Sequence, residues 1–218
     1  MRIGVGLVLS ALVCQSCSFL GNSNGSRVPD TEPLCATSNE APKLVHQGNL
    51  YRDDGLNSLR ESGLETGGIA GRFRHAVECY SRALLIAPDN YDAKLGLGVT
   101  YLGLAQTEKE QSSRRGALLA AAKRNLGEAY VLRWGFHEPL YYLGEAAILE
   151  RRYDLARQFL TPLMAAGYKR GPVNAAMGYI TQQEQGFRAA KPYYEAALVA
   201  GWPANTVVYA QNQLESKK

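Results

Sequence analysis

The 218-residue sequence is short of charge of one sign, of histidine and of long hydrophobic runs. Lys and Arg outnumber Asp and Glu by 24 to 20, and a formal charge of +4 is too weak to argue for a nucleic-acid partner. The one continuous apolar run, residues 3–13, spans eleven positions. A helix needs about 20 to cross a bilayer, so a polytopic membrane protein is excluded. The three histidines, His46, His75 and His137, are scattered, and the His75/Cys79 pair has no further ligand in register, so it reads as packing and no metal is expected. Gly67, Gly68 and Gly71 lack the lysine and the preceding strand of a phosphate loop, and no Ser/His/Asp set carries a nucleophile elbow. Glu145 and Glu150 read as a solvated helix face. Neither catalysis nor a cofactor is expected. What is present, 46% apolar residues with 13 Tyr, five Phe and two Trp, is too apolar for a disordered chain. It supports one globular core or a short array of repeats.

The first residues read as an address. Arg2 precedes the apolar run of residues 3–13, which has the length of a signal-peptide core. The run ends in Val13-Cys14-Gln15-Ser16-Cys17-Ser18. This resembles a bacterial lipoprotein signal, in which a small residue precedes an acylated cysteine; Cys17 after Ser16 fits better than Cys14 after Val13. Cys14 and Gln15 depart from that pattern, and an ordinary secretory signal, giving a soluble periplasmic or secreted protein, is the alternative. Residues 1–16 are thus assigned to a signal peptide and 17–40, rich in Ser, Asn, Gly and Pro, to a flexible tether. The lipoprotein resemblance, with Ser18 after the cysteine, implies the periplasmic face of an outer membrane and contact with membrane through the lipid alone. Cys35 and Cys79 then remain, and in an oxidising compartment they either bridge or stay as a free thiol and a small buried hydrophobe.

The body of the chain repeats itself. Ala76/Tyr80/Ala83 returns as Ala122/Leu126/Ala129, Ala156/Leu160/Leu163 and Ala190/Tyr194/Ala197, the last three copies 34 residues apart. A second pattern keeps step with it: Gly48-x-x-Tyr51, Leu97-Gly98-x-x-Tyr101, Leu143-Gly144-x-x-Ala147 and Met177-Gly178-x-x-Thr181. Phe73, Tyr153 and Phe187 stand three residues before the leading alanine. Small residues let two antiparallel helices approach, and the large residue between the alanines is expected to fill a hole against the next repeat. These residues resemble the tetratricopeptide repeat (TPR). The resemblance implies an all-α, right-handed superhelix of about four helix-turn-helix repeats over residues 41–90, 91–136, 137–170 and 171–204, closed by a capping helix over 205–215. Residues 55–70 are expected to be an insertion between the helices of repeat one, and 107–116, inserted in repeat two, is either a second contact surface or a solvated turn. Pro162 and Pro192 fall inside second helices and threaten kinks.

In TPR arrays the first helices line a concave groove. Carried over residue by residue, the positions facing it are Val45, Asn49 and Arg52; Asp92, Leu95, Val99 and Leu102; Glu138, Tyr141, Glu145 and Ile148; and Ala175, Tyr179 and Gln182. That mixture of aliphatic and tyrosine contacts suits an extended or helical peptide, unless Tyr141 and Tyr179 merely pack on neighbouring helices. The carboxylate-clamp type needs Lys, Asn and Arg where this chain has Leu95, Val99 and Tyr141, and is rejected. Signal, repeat and size together are similar to the TPR lipoproteins of tight-adherence (Flp-type) pilus assembly and to secretin pilotins. The expectation is a non-enzymatic scaffold for a protein or peptide of the cell envelope, assisting a pilus or secretion machine. Outer-membrane protein assembly or control of a cell-wall synthase is the alternative.

Overall fold

A computed structural model describes residues 35, 38–62 and 67–202. The signal peptide, Cys17 and its tether to residue 34, and the capping helix over 205–215 lie outside the described residues. Eight helices and no strand occur among the described residues, so the fold is all-α. In chain order they are α1 (Ala41–Ser62), α2 (Gly67–Ile86), α3 (Tyr91–Thr107), α4 (Ser113–Leu132), α5 (His137–Leu149), α6 (Tyr153–Ala165), α7 (Arg170–Gln185) and α8 (Phe187–Val199). The most extensive contacts are within the pairs α1/α2, α3/α4, α5/α6 and α7/α8, each pair then leaning on the next. Each odd-numbered helix also touches the next odd-numbered one, whereas no comparable contact joins successive even-numbered helices among the described residues. The odd helices therefore form the inner, more buried layer.

Local chemistry explains where the helices begin and end. The Asn90 side chain accepts from the Ala93 N–H at 2.9 Å, and the Ser112 hydroxyl accepts from Arg115 N–H at 3.1 Å, satisfying first-turn donors of α3 and α4. Helices α6 and α8 are followed by Gly167 and Gly201 at positive φ, where the amides of Tyr168 and Trp202 return to the carbonyls of Leu163 and Ala197. Pro162 and Pro192 do not break α6 or α8. Both prolines are exposed, so the carbonyl that each leaves without its helical donor lies on the solvent side.

The hairpins close over glycine. A Cβ added to Gly48 would lie 2.7 Å from Tyr80, one on Gly98 2.5 Å from Leu126, one on Gly144 2.8 Å from Leu160, and one on Gly178 2.9 Å from Tyr194. The two sequence patterns thus meet, position for position, in all four hairpins. In every hairpin the large residue seats on the glycine of its own first helix. In the first hairpin Tyr80 and Phe73 also reach forward, onto Gly96 and Gly103 of α3, as expected of a large residue packed against the next repeat, while Phe73 presses on Gly55 behind.

Of the two expected insertions, the first is mostly helix and the second is helical over half its length. Residues 55–62 continue α1 and residues 67–70 begin α2, because Leu56, Leu59 and Ile69 are apolar at core positions and join Phe73 in the main cluster. In repeat two only residues 108–112 separate the helices, and Ser113 to Gly116 form the first turn of α4. Cys35 and Cys79 form a disulfide, their Cα atoms 5.3 Å apart, tying the segment before α1 to the middle of α2. Closing a loop of that length stabilises by about 4 kcal/mol in the chain-entropy account. The bond also removes Cys79 as a thiolate metal ligand.

The glycines give a paired test. Gly127, in α4, would meet nothing on gaining a Cβ. Gly127→Ala should therefore stabilise by about 0.5–1 kcal/mol through helix propensity. Gly98→Ala has the same propensity gain but forces Leu126 to move, and should instead destabilise by about 1–2 kcal/mol. Urea denaturation of the two variants checks the opposite signs.

Candidate functional site

The residues expected to line an open groove sit on the inner layer, and the structure buries most of them. Val45, Leu95, Val99, Leu102, Tyr141, Glu145, Ile148, Ala175 and Tyr179 are all buried. The solvent-facing groove anchored by Tyr141 and Tyr179 is thus not what the described residues present. Asp92 is exposed in the first turn of α3. Arg52 is half-buried and donates from Nε to Asp53 at 2.8 Å.

Asn49 and Gln182 have a different task from the one expected. Tyr80 Oη donates to Asn49 Oδ1 at 2.7 Å, and Tyr194 Oη donates to Gln182 Oε1 at 2.8 Å. In the two hairpins whose glycine is covered by tyrosine, an amide of the first helix thus receives the hydroxyl that leucine lacks in the other two. A buried hydroxyl without such an acceptor would be costly, so the amide and the tyrosine go together.

Glu138, Tyr141 and Glu145 are drawn into one cluster on α5. Lys169, at φ 41° in the turn before α7, turns its ammonium back onto them. Its Nζ lies 5.1 Å from the ring centroids of Tyr141 and of Tyr142, 5.5 Å from that of Tyr168, and 3.3 Å from Glu138 Oε1. Three aromatic faces and a carboxylate therefore surround one cation, an arrangement in which each ring adds about 0.5–2 kcal/mol of attraction. Next to it, the Arg133 guanidinium sits 4.2 Å from the Tyr91 ring centroid, Tyr91 meets Phe136 edge-on, and His137 meets Tyr168. Lys169, Tyr142 and Tyr168 went unforeseen. Their one signal is the Tyr168-Lys169 pair at the turn where the first repeat has Pro88, and only the turn's left-handed backbone aims the lysine inward.

Glu145 is the chemically unusual member. It is fully buried, accepts a short hydrogen bond from Tyr141 Oη on Oε1, and has no partner for Oε2. Burial pushes its carboxyl up to about 8, against the opposing pull of the Tyr141 hydrogen bond and of Lys169. Burial likewise raises Tyr91 to about 12, with Glu138 adding to it, and raises Tyr168, Tyr179 and Tyr194. These phenols remain neutral at physiological pH. No group of three or more metal-ligating side chains occurs among the described residues, and no described helix is long and apolar enough to cross a membrane. Together the contacts of Lys169 tie α5 to the turn before α7.

Compared with protein-family models, with curated proteins and with solved structures, the chain matches none.

The raised carboxyl of Glu145 links folding to pH. Its folded value lies above the ordinary unfolded value, near 4.5, so the folded chain holds the extra proton between the two. The stabilising contribution is complete below about pH 4.5, falls as pH rises through the window to about 8, and is gone above it. Within that window the slope approaches about 1.4 kcal/mol per pH unit. Glu145→Gln should flatten it, as read from denaturation midpoints at pH 5, 6.5 and 8 against the unmodified protein.

Proposed function

We propose that this chain is a non-catalytic, TPR-type interaction scaffold of the bacterial envelope, held at the outer membrane through Cys17, that assists assembly of a pilus or secretion machine. The envelope address rests on the signal-like residues 1–17 and gains support from the Cys35–Cys79 disulfide, a bond suited to an oxidising compartment. The TPR reading is supported by the glycine and large-residue pairs that recur in register through four hairpins.

The observation that carries a binding role is a line of exposed apolar side chains. Nine residues after the leading alanine of each repeat, at the last turn of the second helix, stand Leu85, Val131, Ala165 and Val199. Leu85 is 84% exposed, Val131 75% and Val199 91%, and Trp134 beside Val131 is 78% exposed. Scattered apolar residues on a surface mean little, but one repeat position that stays large, apolar and uncovered in three of four copies marks an edge made for contact. The outer edge of the even helices, rather than the inner layer, is therefore the binding face in this reading.

In-cell photo-crosslinking from position 85 or 131, with mass-spectrometric identification, tests it. The expected adduct is a secretin or a pilus subunit. Capture of a cell-wall synthase or a barrel-assembly protein would overturn the machine assigned here, and no adduct from either position of a folded, expressed protein would overturn the scaffold. Cys17→Ser should move the protein from the membrane to the soluble fraction; an unchanged distribution would overturn the anchor.

A further inference from the structure

Seven consecutive residues at the junction of α4 and α5, Val131-Leu132-Arg133-Trp134-Gly135-Phe136-His137, are all exposed. Four of them are large and apolar, and none is acidic. Val131 and Leu132 close α4, whereas Trp134 and Phe136 stand in the turn beyond it, where Gly135 holds φ 89°. The exposed ring of Trp134 leans on Tyr130, 4.8 Å between centroids. Arg133 lies over the rings of Tyr91 and Phe136, 4.2 and 5.6 Å from their centroids, and no carboxylate pairs with it among the described residues. At the matching place the first hairpin has Pro88, and the third has Tyr168, half-buried against Lys169. Of the three turns that lead from a second helix to the next first helix, this one alone presents two uncovered aromatic rings beside an unpaired guanidinium.

The turn also lies near the place where the amino-terminal segment joins the domain. Seventeen residues separate Cys17 from Cys35, so the two stand no more than about 60 Å apart. Cys35 is bonded to Cys79, and Leu85, in the last turn of the same helix, lies about 9 Å further along its axis. Tyr91, which opens the next helix, meets Phe136 with ring centroids 5.9 Å apart. The helix that receives the tether therefore ends beside the exposed turn.

We propose that Leu132, Trp134 and Phe136 insert into the interfacial layer of a phospholipid bilayer, as a second membrane contact besides the lipid on Cys17, on whose anchoring the proposal rests. Indole and phenyl rings with an arginine beside them settle at the headgroup level, the rings inward and the cation on phosphate. The tether holds the bilayer at high effective concentration, so a contact of three side chains suffices. A protein partner needs about 800 Å² of matched surface on each side, and here the exposed Asp89 and Asp92 interrupt the apolar surface on the adjoining turn. The same two acids limit insertion to the tip. Leu85 and Val131 belong to the helices behind that tip and stay free for the protein partner.

Tryptophan quenching tests this on the whole chain, held at vesicles of phosphatidylethanolamine and phosphatidylglycerol by its own acyl group. Where mass spectrometry finds Cys17 unmodified, coupling that thiol to a maleimide lipid holds the chain there instead. The mass therefore decides the anchor, and the quenching decides the inserted turn. Subtracting the emission of the Trp134→Phe variant isolates Trp134 from the buried Trp202. Lipids brominated near the headgroup end of their acyl chains should quench that difference emission by about half or more, since interfacial side chains reach that depth. Gln111→Trp added to Trp134→Phe reports on the α3–α4 turn, at the opposite ends of these helices, and its emission should stay unquenched. Equal quenching at the two sites, or an unquenched Trp134 in a vesicle-held chain, would overturn the proposal. So would capture of a protein, in place of phospholipid, by a photo-crosslinker at position 134 in cells.

Discussion

The absence of four Cβ atoms sets the distance between the helices of every hairpin. Gly48, Gly98, Gly144 and Gly178 let Tyr80, Leu126, Leu160 and Tyr194 rest on the backbone of the facing helix, where any other residue would push them off. A mid-helix glycine costs about 1 kcal/mol against alanine, and the close packing it admits offsets that cost. Because the same contact recurs in each hairpin, the small Ala76, Ala122, Ala156 and Ala190 are buried alongside it, and α3, between two neighbouring hairpins, buries most of its circumference.

Tight packing of the inner layer has an electrostatic consequence. Polar groups there must find partners within the protein. Asn49 and Gln182 serve the tyrosine hydroxyls, Glu138 and three rings serve Lys169, and Glu145 keeps a proton. The even helices, packed on one side only, can leave Leu85, Val131 and Val199 to solvent. One layer is therefore closed on itself, and the outer edge of the even helices faces solvent.

The hairpins were legible because a 34-residue period in residue size reports directly on which positions must be small. The Gly98/Leu126 and Gly144/Leu160 partners could be read as two patterns in step, though their union within one hairpin, and not across repeats, required the structure. Residues 55–62 were harder: Gly55 and the polar run after it resemble a loop, and only the burial of Leu56 and Leu59 against Phe73 makes them helix. The groove positions were placed on the right helices but given the wrong exposure, since register says which way a side chain points and not how tightly the layer closes over it. Lys169 was invisible for another reason. Its position depends on a left-handed backbone at a non-glycine residue, which no periodicity encodes.

The contact on which the account rests can be measured by a double-mutant cycle on Gly144 and Leu160. Gly144→Ala should strain the hairpin and Leu160→Ala should open a cavity, whereas in the double variant the new methyl group enters the space that leucine vacates. The account predicts that the double variant is more stable than the sum of the single losses by about 1 kcal/mol or more. Strict additivity would mean that the two residues do not touch, and would contradict the packing that defines every hairpin of this chain.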